Sequence, residues 1–324
     1  MHNERKESLS MKIILIAGPT ATGKTEVSVK LAHKINAEII SMDSMQVYKG
    51  LDIGTAKANE QEMDGIKHYM IDVLDPTENC SVAWFKSTVK DLISDISARG
   101  KIPILVGGTG FYINAVLFDT NFDEQITTDY KAEFTAFYYD YGKEQLFAKL
   151  QDVDPESAST IHPNNVKRVI RALEFFSQNG FPISKHNKEE KYKRFDNISP
   201  YDYTFFALNM SRDTLYSRIN RRVDLMVDNG LFHEVEKLFN RGLDENLAAL
   251  QGIGYKELFP FFKGQLSKDE VIDILKRNTR RFAKRQITWF NHQSNPIFIE
   301  VDELGFNSEK IANTIIELSN LRKF

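Results

Sequence analysis

Eight consecutive residues set the strongest constraint on how this chain folds. Gly18, Pro19, Thr20, Ala21, Thr22, Gly23, Lys24 and Thr25 spell G-x-x-x-x-G-K-T directly after a nearly continuous apolar run, Lys12 to Ala17. Such a run, stopped by Gly-Pro, suits a strand buried on both faces. The residues from Lys24 to about Ile35 carry helical periodicity. Strand, glycine-rich turn and helix together are the context in which this spacing binds phosphate. The glycines let successive N–H groups converge on phosphate oxygens, and the helix N-terminus adds partial positive charge. Lys24 brings a full cation to the terminal phosphate, and Thr25 is placed to hold Mg²⁺. The motif indicates a diphosphate or triphosphate without naming the molecule that carries it.

Further apolar runs follow at Ala37–Ser41, His68–Leu74 and Ile102–Val106, with an amphipathic helix from Ser81 to Ala98 between the last two. Strands alternating with helices imply a parallel α/β sheet with right-handed crossovers. After Asn121 the strand signal lapses, and helical periodicities with polar breaks continue to about Gln178. Asp154-Pro155 and His162-Pro163 punctuate two helix starts, and a lysine-rich stretch, Ser184 to Arg194, closes this part. Phe205 to Leu208 restores the strand signal. The expected fold is therefore a P-loop α/β core of parallel strands flanked by helices (residues 11–121 and 200–324). An all-helical domain is inserted at 122–199, after a disordered N-terminal extension of residues 1–10. Helices are expected from Asp213 to Asn229 and from the capping box Ser267–Glu270 to Phe290, then a strand at Ile297–Val301 and a final amphipathic helix.

The P-loop has an irregular companion. An ordinary P-loop NTPase ends a second strand in an acid that helps hold Mg²⁺. Here Ile102–Val106 runs into Gly107-Gly-Thr109-Gly110 instead, which leaves Asp43 and Asp72 as substitutes and weakens an ATPase reading. Asp43 follows the second strand, so it belongs with Thr109 on the P-loop side, beyond the strands' carboxyl ends. A carboxylate beside phosphate needs a reason: Mg²⁺ ligation, general-base work, or only the capping of a turn at the strand end.

The chain has 324 residues, 42% hydrophobic and 27% charged, with a net charge of −3, so a polyanion would need a local footprint. One is present. Lys276, Arg280 and Lys284 form an i,i+4 row, and Arg277, Arg281 and Arg285 form the row beside it, with Leu275 and Phe282 opposite. Like charges at that spacing repel by roughly 0.2–0.5 kcal/mol per pair, a penalty that a polyanion relieves. Lys167, Arg168 and Arg171 make a smaller version. Trp289, Phe290 and Tyr255 suit either base stacking or the core. The single cysteine, Cys80, excludes an internal disulfide framework. No signal peptide or membrane-length apolar run is visible, and a cytoplasmic protein is expected.

Taken together, GPTATGKT, DSMQVYKGLDIGTAK (43–57), ILVGGTGFYI (104–113), RVIRALE (168–174), RINRRVDLMVDNGL (218–231), QGIGYKE (251–257) and TRRFAKRQITWF (279–290) resemble the tRNA dimethylallyltransferase family, also called tRNA isopentenyltransferases, of bacterial type. The likeness runs in order from residue 12 to about 291. Departures are Lys49 for a usual Arg, Ala58 for Pro, Tyr69 in a His-His pair, and Gly252 for Ala, the last expected to loosen a tRNA-contacting turn.

The resemblance implies transfer of a dimethylallyl group from its diphosphate to N6 of the adenosine 3′ of the anticodon. The P-loop would then cradle a leaving diphosphate. Asp43, Thr109 and Arg222 would be catalytic, with Asp43 accepting a proton or hydrogen bond from the N6 amine. Lys24, Thr109, Arg222 and Mg²⁺ would neutralise the departing diphosphate, and Arg218 would bind it too and support Arg222. Asp43, Ser44, Met45, Gln46, Thr109, Lys131, Lys167, Arg168, Val169, Ile170, Arg171, Gln251, Gly252, Ile253, Gly254, Tyr255 and Lys256 would contact the tRNA anticodon stem-loop. With them would stand Arg280, Arg281, Lys284, Arg285 and Gln286 of the stripe. The enzyme would act as a monomer. The competing readings are a P-loop kinase of a nucleotide or small metabolite, which leaves the basic stripe unexplained, and a non-catalytic or ATPase RNA-binding protein, which leaves Asp43 and the Gly-Gly-Thr-Gly turn unexplained.

Overall fold

The computed structural model describes residues 11–119, 130–196, 198–293 and 295–319. The extension at residues 1–10 and the expected domain junction at 121–122 lie outside the described residues. Six strands, β1 (Lys12–Ala17), β2 (Ala37–Ser41), β3 (His68–Tyr69), β4 (Ile102–Gly107), β5 (Asp202–Asn209) and β6 (Ile297–Glu300), form one parallel sheet in the order β3-β2-β4-β1-β5-β6. Central β1 pairs with β4 on one side and β5 on the other. Its alternate residues divide between two hydrophobic layers. Ile13 and Leu15 join Phe85, Val89, Leu275 and Phe290, while Ile14 and Ile16 join Val27, Leu31, Leu215 and Ile315. Burial on both faces is why β1 reads as an unbroken apolar run.

The helices of this unit are α1 (Lys24–Ile35), α2 (Glu60–Met63), α3 (Val82–Ala98) and α4 (Gly110–Leu117) in its first segment. The helical unit supplies α5 (Tyr130–Val153), α6 (Pro155–Thr160), α7 (Val166–Asn179) and α8 (Ile183–Phe195). The second segment returns with α9 (Arg212–Asp228), α10 (Leu231–Asn240), α11 (Phe259–Phe262), α12 (Lys268–Gln293) and α13 (Ser308–Leu318). Local chemistry sets the ends. Ser81 caps α3 by accepting the Trp84 N–H, and the Ser267–Glu270 box opens α12 through reciprocal bonds.

One element departs from expectation. The third strand stops after Tyr69, because Met70 and Asp72 take left-handed φ values of 61° and 54°, and the chain turns so that Val73 and Leu74 donate to Val47 O. The lysine-rich stretch beyond Ser184 is helical, within α8.

The chain separates into two compact units: residues up to 119 with those from 199 onward, and the helical residues up to 198. In the helical unit, Leu146 and Leu150 of α5 meet Val169, Ile170 and Leu173 of α7 around Phe134. Helix α5 breaks at Gly142 (φ 81°, ψ 173°), where glycine alone is unstrained. Asp154 caps α6 through the Ser157 N–H and also accepts the Ser184 N–H, tying the starts of α6 and α8 together.

Candidate functional site

The loop between β1 and α1 has the geometry that its glycines require. Gly18 has φ 141°, and a Cβ there would sit 2.5 Å from Leu208 O of β5. Gly23, at φ 88°, turns the chain into α1. Ala21 holds φ 67°, an uncommon conformation for a residue with a side chain, and Arg218 Nε donates to its carbonyl at 2.9 Å. The Arg218 guanidinium lies over the Phe306 ring. Lys24 Nζ reaches back to Gly18 O (3.0 Å) and Pro19 O (2.7 Å).

The Gly-Gly-Thr-Gly turn after β4 is shaped by its neighbours. A Cβ on Gly107 would strike Met42 O, one on Gly108 the Gln286 amide, and one on Gly110 the Trp289 indole. Gln286 is buried; its Oε1 accepts the Thr20 N–H at 3.1 Å and its Nε2 donates to Gly108 O at 3.0 Å. One side chain of α12 thus joins the P-loop to the β4–α4 turn. Thr109, next in that turn, accepts the Ser44 N–H at 3.4 Å, which brings the ends of β2 and β4 together.

The P-loop, Asp43, Thr109 and Arg222 line one cavity of about 390 Å³. A second, larger cavity lies against the P-loop and shares Thr25, Ala56, Arg222 and Met226 with the first. Lys24 and Arg222 are two cations near one another. Burial pulls the Lys24 pKa down to about 7, Arg222 repels its charge further, and Asp43 opposes both effects. The Arg222 pKa is also lowered by burial, with Asp43 again opposing. The Nε of Arg222 is buried without a hydrogen-bond partner among the described residues. Two desolvated cations facing a cavity form a site that an anion would stabilise.

Asp43 does what the bland reading allowed and more. One carboxylate oxygen accepts the Met45 N–H at 2.8 Å, a turn cap, while its charge still reaches Lys24 and Arg222. Asp72 is no substitute for the missing acid, because Lys57 Nζ holds it at 2.5 Å and it lines neither cavity. Arg218 holds the P-loop directly through the Ala21 carbonyl, and its charge lies close enough to lower the Arg222 pKa slightly.

The residues expected at tRNA divide by burial. Ser44, Met45, Gln46, Gln251, Gly252, Ile253, Gly254 and Lys256 line the smaller cavity with Arg285. Gln46 is committed within the wall, taking the Ser41 hydroxyl and donating to Thr55 O. Tyr255 and Gln286 are buried, Tyr255 in the core and Gln286 as part of the smaller cavity's wall. Phe290 is core as well, and Trp289 packs against it. The six-cation display is narrower than expected: Lys276 pairs with Asp224 and Arg280 bonds Asn220, both on α9, while Arg277, Arg281, Lys284 and Arg285 remain exposed. In the helical unit, Lys131, Lys167, Arg168 and Arg171 are exposed, with Arg171 paired to Glu174, whereas Val169 and Ile170 are core. Met45 Sδ occupies the space that a methyl on Gly252 would take.

Three bracing residues escaped the sequence reading. Lys57 donates to Tyr48 O and Asp52 Oδ1 as well as Asp72. Glu257 is buried, accepts the Gly254 N–H and takes the Asn278 amide of α12. Glu234 of α10 accepts the N–H groups of Asp52, Ile53 and Gly54. Glu234 meets its partners across about 180 residues, so no spacing announces it.

Known proteins resemble this chain in sequence and fold. The profile of the family described as IPP transferase matches residues 46–293. A tRNA dimethylallyltransferase of Halalkalibacterium halodurans is 46% identical over 310 residues, 95% of this chain and 96% of the relative. One of Lachnoclostridium phytofermentans is 47% identical over 298 residues, 92% and 93% of the two chains. Among solved structures, a tRNA isopentenylpyrophosphate transferase from Staphylococcus epidermidis shares 41% identity at a TM-score of 0.70, covering 96% of this chain and 99% of its own. A eukaryotic dimethylallyltransferase acting on tRNA shares 31% at a TM-score of 0.80, covering 96% and 79%. With that profile across most of its length, and with P-loop, Asp43 and glycine turn around one cavity, the chain belongs to the IPP transferase family of tRNA dimethylallyltransferases.

Proposed function

We propose that this enzyme transfers the dimethylallyl group of dimethylallyl diphosphate to N6 of the adenosine 3′-adjacent to the anticodon of tRNA, releasing diphosphate. The observation that carries the reading is the pair of desolvated cations, Lys24 and Arg222, facing Asp43 across one cavity. A bond forms between N6 and the allylic carbon as the bond from that carbon to diphosphate oxygen breaks. The N6 proton passes to Asp43, and the charge that develops on the leaving group is met by Lys24, Arg222 and the P-loop N–H groups. Thr109, at the rim of the same cavity, holds the acceptor base. The base must leave its stack to reach a carboxylate inside the cavity.

Among the described residues no cluster of three or more His, Cys, Asp or Glu could hold a metal. The Thr25 hydroxyl, a hard oxygen donor on the wall shared by both cavities, fits Mg²⁺ held mainly by diphosphate oxygens and water. When bound, Mg²⁺ would offset leaving-group charge. Arg281, Lys284 and Arg285, with Lys131, Lys167, Arg168 and Arg171 of the helical unit, meet the tRNA backbone. Among the described residues no helix is long and apolar enough to cross a membrane, and we place the enzyme in the cytoplasm as a monomer. Incubation with labelled dimethylallyl diphosphate, Mg²⁺ and unmodified tRNA should move label into tRNA. ATP turnover without label transfer would refute this function.

A further inference from the structure

Three consecutive backbone N–H groups, Asp52 to Gly54, converge on one carboxylate. Glu234 Oε2 accepts from Asp52 (3.0 Å) and Ile53 (2.7 Å), and Oε1 accepts from Gly54 (3.0 Å). Tyr255 donates its hydroxyl to the same Oε1 at 2.7 Å. Converging N–H groups of this kind make a concavity for an anion, and here the anion is internal. Burial and the adjacent Glu234 charge push the Tyr255 pKa up, so its hydroxyl stays a donor. The fit is close: a Cβ on Gly54 would lie 2.6 Å from the Tyr255 ring, and one on Gly254 would lie 3.2 Å from Gly54 O.

Both ends of this clamp reach the cavity. Gly54, Thr55 and Ala56 line one stretch of its wall, and Gly252, Ile253 and Gly254 line another. Among the described residues no backbone hydrogen bond joins residues 52–56 to residues 251–256. Glu234 stands on α10 and lines neither cavity.

We propose that Glu234 is a positioning residue for the acceptor half of the reaction, its carboxylate locking the 54–56 wall to the 251–256 wall so that the cavity keeps the width of a flipped base. The diphosphate half, built on the P-loop, Arg218 and Arg222, has its own brace in the Arg218–Ala21 bond and meets the clamped loop only where Asp52, Ile53 and Ala56 line the larger cavity. The inference rests on the tRNA prenyl-transfer reading above.

The separation of the two halves supplies the test. Glu234→Gln keeps size and shape but turns an NH₂ toward N–H donors. Tyr255→Phe removes one bond of the same clamp and leaves the carboxylate in place. For each variant, kcat and KM for tRNA and for dimethylallyl diphosphate should be measured beside pyrophosphate binding by calorimetry and thermal melting. In Glu234→Gln, kcat/KM for tRNA should fall at least ~10-fold, the size of one lost charge-assisted hydrogen bond. Pyrophosphate affinity should stay within about twofold, and Tyr255→Phe should show the same split, less deeply. Parental tRNA kinetics in Glu234→Gln would overturn the proposal. So would a parallel loss of pyrophosphate binding in Tyr255→Phe, which would mark the clamp as general scaffold. A parent enzyme that binds pyrophosphate yet never labels tRNA would instead refute the prenyl-transfer reading.

Discussion

At the scale of single residues, the site sets charges against one another. Asp43 caps its own turn through Met45 and still faces Lys24 and Arg222, so its removal should affect chemistry more than binding. Asp43→Ala should lower the single-turnover rate by ~10²–10⁴-fold, with a much smaller change in tRNA affinity; an unchanged rate would remove it from catalysis. Lys24 offers a second test. Its pKa is about 7, so above that pH the amine is largely neutral until an anion raises it. Diphosphate binding at pH 8 should therefore take up close to one proton, and at pH 6 the Lys24 contribution should vanish. Calorimetry in two buffers of different ionisation enthalpy reads this directly, and Lys24→Met should abolish the uptake. Lys24 and Asp43 could be named from the sequence because each follows a strand within a few residues of a glycine turn or strand end. Glu234 and Glu257 could not, because their partners are backbone N–H groups whose convergence is a property of the folded chain.

At the scale of the element, α12 has two jobs on two faces. Its inner edge carries Gln286 and Trp289 against the P-loop and the glycine turn, and its outer edge carries Arg281, Lys284 and Arg285. Replacing Arg281 and Arg285 with Ala should weaken tRNA binding and reduce the slope of log K against log salt by ~1.5. Replacing Lys276 and Arg280 should leave the slope nearly unchanged, because both are turned toward α9. Equal slopes for the first variant and the parent would leave the exposed cations merely solvated. Most of this helix was legible: the Ser267 box fixed its start, and the 3.6-residue period fixed which cations share a row. Which row meets α9 was not legible, since that depends on Asp224 and Asn220 arriving from a separate element. The third strand shows the same limit, because an apolar run cannot report that Met70 and Asp72 adopt positive φ.

At the scale of the whole molecule, the sheet keeps its chemistry at one end and a charge lock at the other. Near the start of β2, Glu38 is buried beneath Arg99, Lys101 and Tyr69, with Arg99 bonding both carboxylate oxygens at 2.8 and 2.6 Å. Arg99 above all holds its pKa near about 2. Its contribution to stability is thus complete above the ordinary carboxylate range and is lost as pH falls toward 2. Glu38→Gln should destabilise the fold by ~1–3 kcal/mol at pH 7 and flatten the acid limb of a denaturation profile. An unaltered acid limb would assign that limb to other carboxylates. The parallel sheet was legible from alternating apolar runs and helices, and the return to the core from Phe205 onward. The glycine turn after β4 also constrains inheritance. Gly108 and Gly110 fit against Gln286 and Trp289 of α12, the first pair 178 residues apart, so neither partner can drift alone. Among relatives these positions should co-vary, and a chimera that imports α12 should work only when the donor's turn travels with it.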